Sequence, residues 1–144
     1  MSHLYTSIAK REAFVKEFTE ATGGWVDMPP LSQVLSLRRK LILEETREVV
    51  DELDNIEMLQ VRGKPVTQED YAKLMKELCD LQYVLSGTVI AFEGLPTHNF
   101  VPAFNRVHAS NMSKLDDNGK PVLNEYGKVM KGPNYKEPTM EGLV

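Results

Sequence analysis

Apolar residues recur every three or four positions over most of this chain, which is the spacing of amphipathic helices. The pattern predicts four helices, over about 4–21, 31–62, 67–92 and 101–112. Thr67 followed by Asp70 has the spacing of a capping box and opens the third helix. Pro102 then falls in the first turn of the fourth helix, where its missing N–H is tolerated. The predicted helix stops are Gly23-Gly24, Gly63 with Pro65, and Gly94 with Pro96.

Beyond Ser113 the helical spacing is replaced by turn-forming residues, as in Asp116-Asp117-Asn118-Gly119 and Gly132-Pro133. An ordered loop and a short hairpin both fit this tail. No internal repeat is evident anywhere in the chain, and no strand alternation is evident outside the tail. We therefore predict an all-α, four-helix-bundle-type fold in a single domain, 1–144, with a helical core over about 4–112 and an ordered tail over 113–144.

Glu45 lies inside the apolar stripe of the second helix when that helix is projected at about 100° per residue. The stripe consists of Val34, Leu41, Ile42, Val49, Ile56 and Leu59. Glu48 lies at its edge and Glu44 just outside it. A buried carboxylate without a partner is costly, so these acids indicate a cation.

Two further acids, Glu77 and Asp80, lie off the main apolar stripe of the third helix and begin a second face that continues through Val84, Gly87 and Ala91. The main stripe is Tyr71, Leu74, Leu78, Leu81, Leu85 and Phe92. A hairpin centred near Lys64 sets Glu48 level with Asp80 or Leu81, and Glu52 level with Glu77. The two acid groups are then staggered by about 6 Å at 1.5 Å per residue, which long side chains can span.

The predicted metal ligands are Glu44, Glu45, Glu48, Glu77 and Asp80. Carboxylate oxygens favour Mg²⁺, with Mn²⁺ as the second candidate. The alternative interpretation is a solvated acidic face, in which the acids of the second helix pair with Lys40 and Arg47 at helical spacing.

Bulk composition narrows the class of protein. The chain has 144 residues, 42% hydrophobic and 26% charged, as in ordinary globular proteins. A net charge of −4 gives no general attraction for nucleic acid. The uncharged run 81–92 is well short of the ~20 residues of a bilayer span. With a single cysteine, Cys79, and no signal-peptide pattern, we expect a cytoplasmic protein without nucleic-acid or membrane partners.

The acids also carry a resemblance. Glu44-Glu45-x-x-Glu48, followed about thirty residues later by Glu77-x-x-Asp80, resembles the signature of the all-α nucleoside triphosphate pyrophosphohydrolases, the superfamily of MazG, dimeric dUTPases and phosphoribosyl-ATP pyrophosphohydrolase. More narrowly, the segment from Val107 to Lys114 (VHASNMSK) and the segment from Gly127 to Pro133 (GKVMKGP) resemble the phosphoribosyl-ATP pyrophosphohydrolase-like MazG relatives.

This resemblance implies a MazG-like fold and Mg²⁺-dependent hydrolysis of a nucleoside triphosphate, with deoxynucleotides as first candidates, to the monophosphate and pyrophosphate. It implies metal ligation by Glu44 or Glu45 and by Glu48, Glu77 and Asp80. A carboxylate not fully used as a ligand would accept a proton from the attacking water, and Glu45 is our first choice, with Glu48 not separable from it. Specific hydrolysis of phosphoribosyl-ATP or dUTP stays open, as does a non-catalytic metal-binding or interaction module.

Five residues are candidates for binding the substrate. The resemblance assigns Asn111 and Lys114 to the nucleotide or its phosphates, although a lysine there also suits a helix C-terminus. Arg38, in the apolar stripe, could meet a phosphate or pair with a buried acid. Lys131 and Tyr135 could fold over the nucleotide or belong to an anchored turn.

Two further features concern partners. Trp25, between two predicted helices, could stack on a base or pack as a staple. The third helix is apolar on two sides, and apolar faces of this kind usually associate. We therefore expect a homodimer or homotetramer that completes the bundle.

Overall fold

The computed structural model describes residues 2–22, 30–91 and 97–144. It contains four helices, α1 (Ser2–Ala21), α2 (Leu31–Val61), α3 (Gln68–Ala91) and α4 (Thr97–Met112). Within those ranges there is no strand beyond one isolated bridge, so the all-α class is confirmed for them. The chain divides into a first unit, Met1–Glu93, and a second unit, Gly94–Val144. The predicted features that lie outside the described residues are Gly23-Gly24, Trp25, Phe92, Gly94 and Pro96.

Local signals set the turn between α2 and α3, as the sequence predicts. Gly63 adopts a positive φ of 64°, and its N–H and that of Lys64 donate to the carbonyls of Gln60 and Leu59. These two bonds form a Schellman motif and satisfy carbonyls at the end of α2. At the start of α3, the Thr67 N–H donates to Asp70 Oδ2 at 2.8 Å, and the Asp70 N–H donates to Thr67 Oγ1 at 3.3 Å. The capping box is therefore confirmed.

The apolar stripe of α2 faces inward, since Val49 is 7% exposed and the other members of the stripe are half-buried. For α3, which packs against both α2 and α1, the predicted main stripe is not the more buried face. Tyr71, Leu78 and Leu85 are 53%, 49% and 42% exposed, whereas Gly87 on the second face is buried. The face that begins with the acids is thus the packed one.

The core of the first unit is small. Among the side chains that the structure describes, Val15 and Val49 are the only buried apolar ones. Many large apolar side chains of α1, α2 and α3 are exposed, among them Phe14, Leu43 and Met75 at 55%, 62% and 64%. Packing within one chain therefore buries only part of the apolar surface of these helices and leaves the rest exposed.

Helix α4 begins at Thr97, four residues earlier than predicted, so the placement of Pro102 in a first turn is wrong. Pro102 lies in the second turn, where it lacks the N–H that would bond to the carbonyl of residue 98. Side chains of α4 hold the tail in place by donating hydrogen bonds to the backbone carbonyls of the tail. Arg106 Nη1 donates to Thr139 O and Glu141 O, both at 2.8 Å, and Ser110 Oγ donates to Lys136 O at 2.7 Å.

The tail also contains a short tandem repeat that the sequence analysis missed. Asp116 Oδ1 accepts the N–H groups of Asn118 and Lys120, and Asn124 Oδ1, eight residues on, accepts those of Tyr126 and Lys128. Each turn has a glycine at the same position with positive φ, 72° and 77°. One antiparallel bridge, Leu123 to Val129, closes the second turn into a minimal hairpin.

None of the helices over residues 2–22, 30–91 and 97–144 combines the length and apolar character needed to cross a membrane.

Candidate metal centre

The acids of α2 and α3 meet across the helix pair. The carboxyl group of Glu48 lies near enough to that of Glu77 for the interaction between them to raise its pKa, and Asp80 lies near enough to Glu45 to act on it electrostatically. These two pairings share one antiparallel register, because a step of three residues along α2 matches a step of three back along α3. The packed helix faces therefore place the acids opposite one another without a stagger.

The same register holds away from the acids, and it corrects the predicted one. Arg38 lies against Gly87, and Glu52 faces Lys73 rather than Glu77. Compared with the predicted hairpin centred near Lys64, α2 and α3 are shifted along each other by about one helical turn. The non-helical residues 64–67 account for the shift, because they must run back beside the last turn of α2 before α3 begins.

Three of the acids form a group with the geometry of a ligand set. Glu45, Glu48 and Glu77 each offer one carboxylate oxygen, and these three oxygens lie within 4.8 Å of one another. Glu45 and Glu77 are half-buried, with the Glu77 side chain 13% exposed. Hard carboxylate oxygens in this number suit Mg²⁺ or Mn²⁺, so the donor set fits such an ion. We call these three residues the glutamate triad.

The electrostatics of the glutamate triad show negative charge that the protein only partly offsets. The hydrogen bond with Glu77 raises the pKa of Glu48, and burial and the charges of Glu77 and Glu45 raise it further. Burial raises the pKa of Glu45, followed by the charges of Asp80 and Glu44. A bond between two carboxyl groups requires a proton on one of them. A cation would relieve the same repulsion.

Lys76 is the part of this site that the sequence analysis missed. Its Nζ donates to Glu77 Oε1 and Oε2, both at 3.1 Å, and lies 3.0 Å from Asp80 Oδ2. Hydrogen bonds to Asp80 and then Glu77 raise the pKa of Lys76. The Lys76–Asp80 spacing of four residues is the sequence signal that could have revealed it.

The five predicted ligands are therefore not equivalent. Asp80 adjoins the glutamate triad and is held by Lys76, whereas Glu44 is exposed and lies outside the triad. In the described part of the chain, no ion pair joins Glu45 or Glu48 to a lysine or arginine of α2, as the solvated acidic face would require.

The remaining predicted site residues fall into separate local arrangements. In the second unit, Lys114 Nζ donates to Asn111 Oδ1 at 2.8 Å, and Lys131 Nζ lies 4.5 Å from the centroid of the Tyr135 ring. In the first unit, Arg38 lines a cavity. Their assignment to a substrate stays a prediction.

No protein-family model matches the chain, and no curated protein matches its sequence.

Proposed function

We propose that this protein hydrolyses a nucleoside triphosphate to the monophosphate and pyrophosphate, using a divalent cation held by the glutamate triad, with Mg²⁺ as the first choice. The observation that carries the proposal is the convergence of three glutamate oxygens from two helices within 4.8 Å. The acid motif and its resemblance to the all-α pyrophosphohydrolases supply the reaction class. Deoxynucleotides are the first candidates, and specificity for dUTP or phosphoribosyl-ATP is the narrower alternative.

Each residue of the site has a role that its surroundings support. Glu48 and Glu77 would serve as ligands, Glu45 would offer one carboxylate oxygen to the cation, and Asp80 could join them if Lys76 released it. Glu45 is the proposed proton acceptor for the attacking water, because burial raises its pKa and so makes it a stronger base than an ordinary glutamate. A bound Mg²⁺ would offset phosphate charge and lower the pKa of a coordinated water. If a cation were held by Glu77 and Asp80, the positive charge of Lys76 would be available for a phosphate of the substrate.

We also propose that a MazG-like bundle is completed by a second copy of the chain. The exposed stripe of α3, represented by Tyr71, Leu78 and Leu85, supports this, because about half of each of these side chains stays exposed in a single chain. The same exposed surface favours the competing hypothesis, a helical interaction module that binds metal without catalysis.

A substrate panel separates these hypotheses. The protein is incubated with Mg²⁺ and each common ribo- and deoxyribonucleoside triphosphate, including dUTP, and with phosphoribosyl-ATP. Released phosphate is then assayed with and without added inorganic pyrophosphatase. Signal that depends on the added enzyme identifies pyrophosphate and supports the proposal. Direct release of orthophosphate contradicts it, and metal binding without turnover of any compound favours the interaction module.

A further inference from the structure

A cavity of about 610 Å³ opens between α1, α2 and α3, at the end of the helix pair away from the α2–α3 turn. Its volume lies within the range of small-molecule pockets. Most of its walls are apolar, with Phe18, Leu41, Tyr83 and Ile90 among them. Walls of this kind suit a flat, largely apolar group rather than a chain of phosphates.

Arg38 is the one charged residue among the described residues that line this cavity. Its side chain is half-buried, and within the described part of the chain no ion pair holds it. Burial accordingly lowers its pKa. A guanidinium group has five N–H donors and no acceptor, so Arg38 is able to donate to the acceptors of a ligand in the cavity.

The position of Arg38 relative to the glutamate triad indicates which part of a ligand it meets. Arg38 and Glu45 lie on one face of α2, seven residues and hence about 10 Å apart along the axis. That distance exceeds the reach of a triphosphate chain from its α-phosphate. It is comparable with the distance from the α-phosphate of a nucleotide to the far edge of its base.

We propose that this cavity binds the base of the nucleotide, and that Arg38 selects bases that present two adjacent acceptors, as guanine does with O6 and N7. A bidentate arginine matches that edge, whereas adenine offers a donor, its amino group, beside N7. This inference rests on the proposed function for the placement of the phosphates, and it names guanine nucleotides as the preferred substrates.

Gly87 keeps the space that the guanidinium group occupies. A Cβ at position 87 would lie 2.6 Å from Arg38 Nη1 and 3.4 Å from Val15 Cγ1. Because Nη1 is the end of a flexible side chain, Gly87→Ala moves the guanidinium group without removing its charge. Alanine also favours a helix over glycine, so this variant should fold.

The test measures binding of dGMP and dAMP by calorimetry, because monophosphates report on the cavity even if the protein hydrolyses no triphosphate. We expect wild-type protein to bind dGMP about 5- to 150-fold more tightly than dAMP, the range of one bidentate pair. Arg38→Gln should abolish or reverse that preference, because a glutamine side chain suits N6 and N7 of adenine, and Gly87→Ala should reduce the ratio to near one. Arg39→Gln, a change at the exposed neighbour on the same helix, should leave it unchanged.

Three results would overturn the inference. The first is no preference, or no binding of either monophosphate, by the wild-type protein. The second is a preference that Arg38→Gln retains. The third is an equal loss for both monophosphates together with competition by inorganic phosphate, which would place Arg38 on a phosphate. The substrate panel is scored separately, so a failure of hydrolysis and a failure of base selection remain distinguishable.

Discussion

Replacing Glu48 by glutamine should remove most of the stabilisation by Mg²⁺ without weakening the metal-free fold. In an octahedral shell at 2.0–2.1 Å, ligand oxygens lie at most about 4.2 Å apart. The oxygens of the glutamate triad, within 4.8 Å of one another, need only small side-chain movements to reach that geometry. Glutamine keeps the size of Glu48 and can donate a hydrogen bond to Glu77, but it removes one anionic ligand.

The size of the effect follows from binding linkage. At a Mg²⁺ concentration one hundred times the wild-type Kd, binding stabilises the fold by about 2.7 kcal/mol. If Glu48→Gln weakens binding about 100-fold, the stabilisation falls to about 0.4 kcal/mol. At about 3 °C per kcal/mol for a chain of this size, the shift in Tm falls from about 8 °C to about 1 °C.

Thermal unfolding followed by circular dichroism, over a Mg²⁺ titration, measures these shifts. Glu57→Gln is the matched control, since it removes the same charge from an exposed position of α2. We expect the control to keep the full shift, and Glu48→Gln to match or exceed the wild-type Tm without metal. A wild-type protein that Mg²⁺ does not stabilise would show that the glutamate triad is not a metal site, and a Glu48→Gln variant that keeps the shift would show that Glu48 is not a ligand.

Three further predictions concern the same two helices. The pKa values of Glu45 and Glu48 are raised, so the Mg²⁺-induced Tm shift should shrink as the pH falls from 7 towards 5. Over the same range the metal-free protein should become more stable, because protonation of these two carboxylates removes the repulsion between them. Opposite trends would contradict the assignment of Glu45 and Glu48 to a metal site. Lys76→Gln should lower the metal-free Tm and tighten Mg²⁺ binding by calorimetry, and weaker binding would show that Lys76 supports the site rather than competing for it. Thr67→Ala should lower the free energy of unfolding, measured with urea, by about 1 kcal/mol because the helix cap is lost, and should leave the Mg²⁺ affinity unchanged. An unchanged free energy of unfolding would show that the capping box contributes little to stability.

The features that the sequence predicted correctly depend on interactions within one or two turns. The stop at Gly63 and the cap at Thr67 are of this kind, and so is the inward placement of Glu45 among the apolar residues of α2. Each is determined by residues a few positions apart, which helical projection and capping rules describe directly.

The features that could not be predicted from the sequence depend on the path of the backbone between helices, or on which of two similar apolar faces of a helix is buried. The register of Glu48 with Glu77 follows from how residues 64–67 run, which composition does not specify. Both faces of α3 are apolar, so periodicity could not tell that Leu78 would be exposed and Gly87 packed. Lys76 was overlooked because an isolated lysine on a helix usually points to solvent.

Cleavage between the α- and β-phosphates is the reaction that we propose for the glutamate triad. Phosphorus NMR of one reaction, containing a deoxynucleoside triphosphate, Mg²⁺ and the protein, tests it most directly. We expect a monophosphate signal and a pyrophosphate signal of twice its area, because pyrophosphate has two equivalent phosphorus atoms, with wild-type protein and Glu57→Gln, and neither signal with Glu48→Gln. Diphosphate with orthophosphate, equal activity in Glu48→Gln, or an unchanged spectrum with every triphosphate would contradict it.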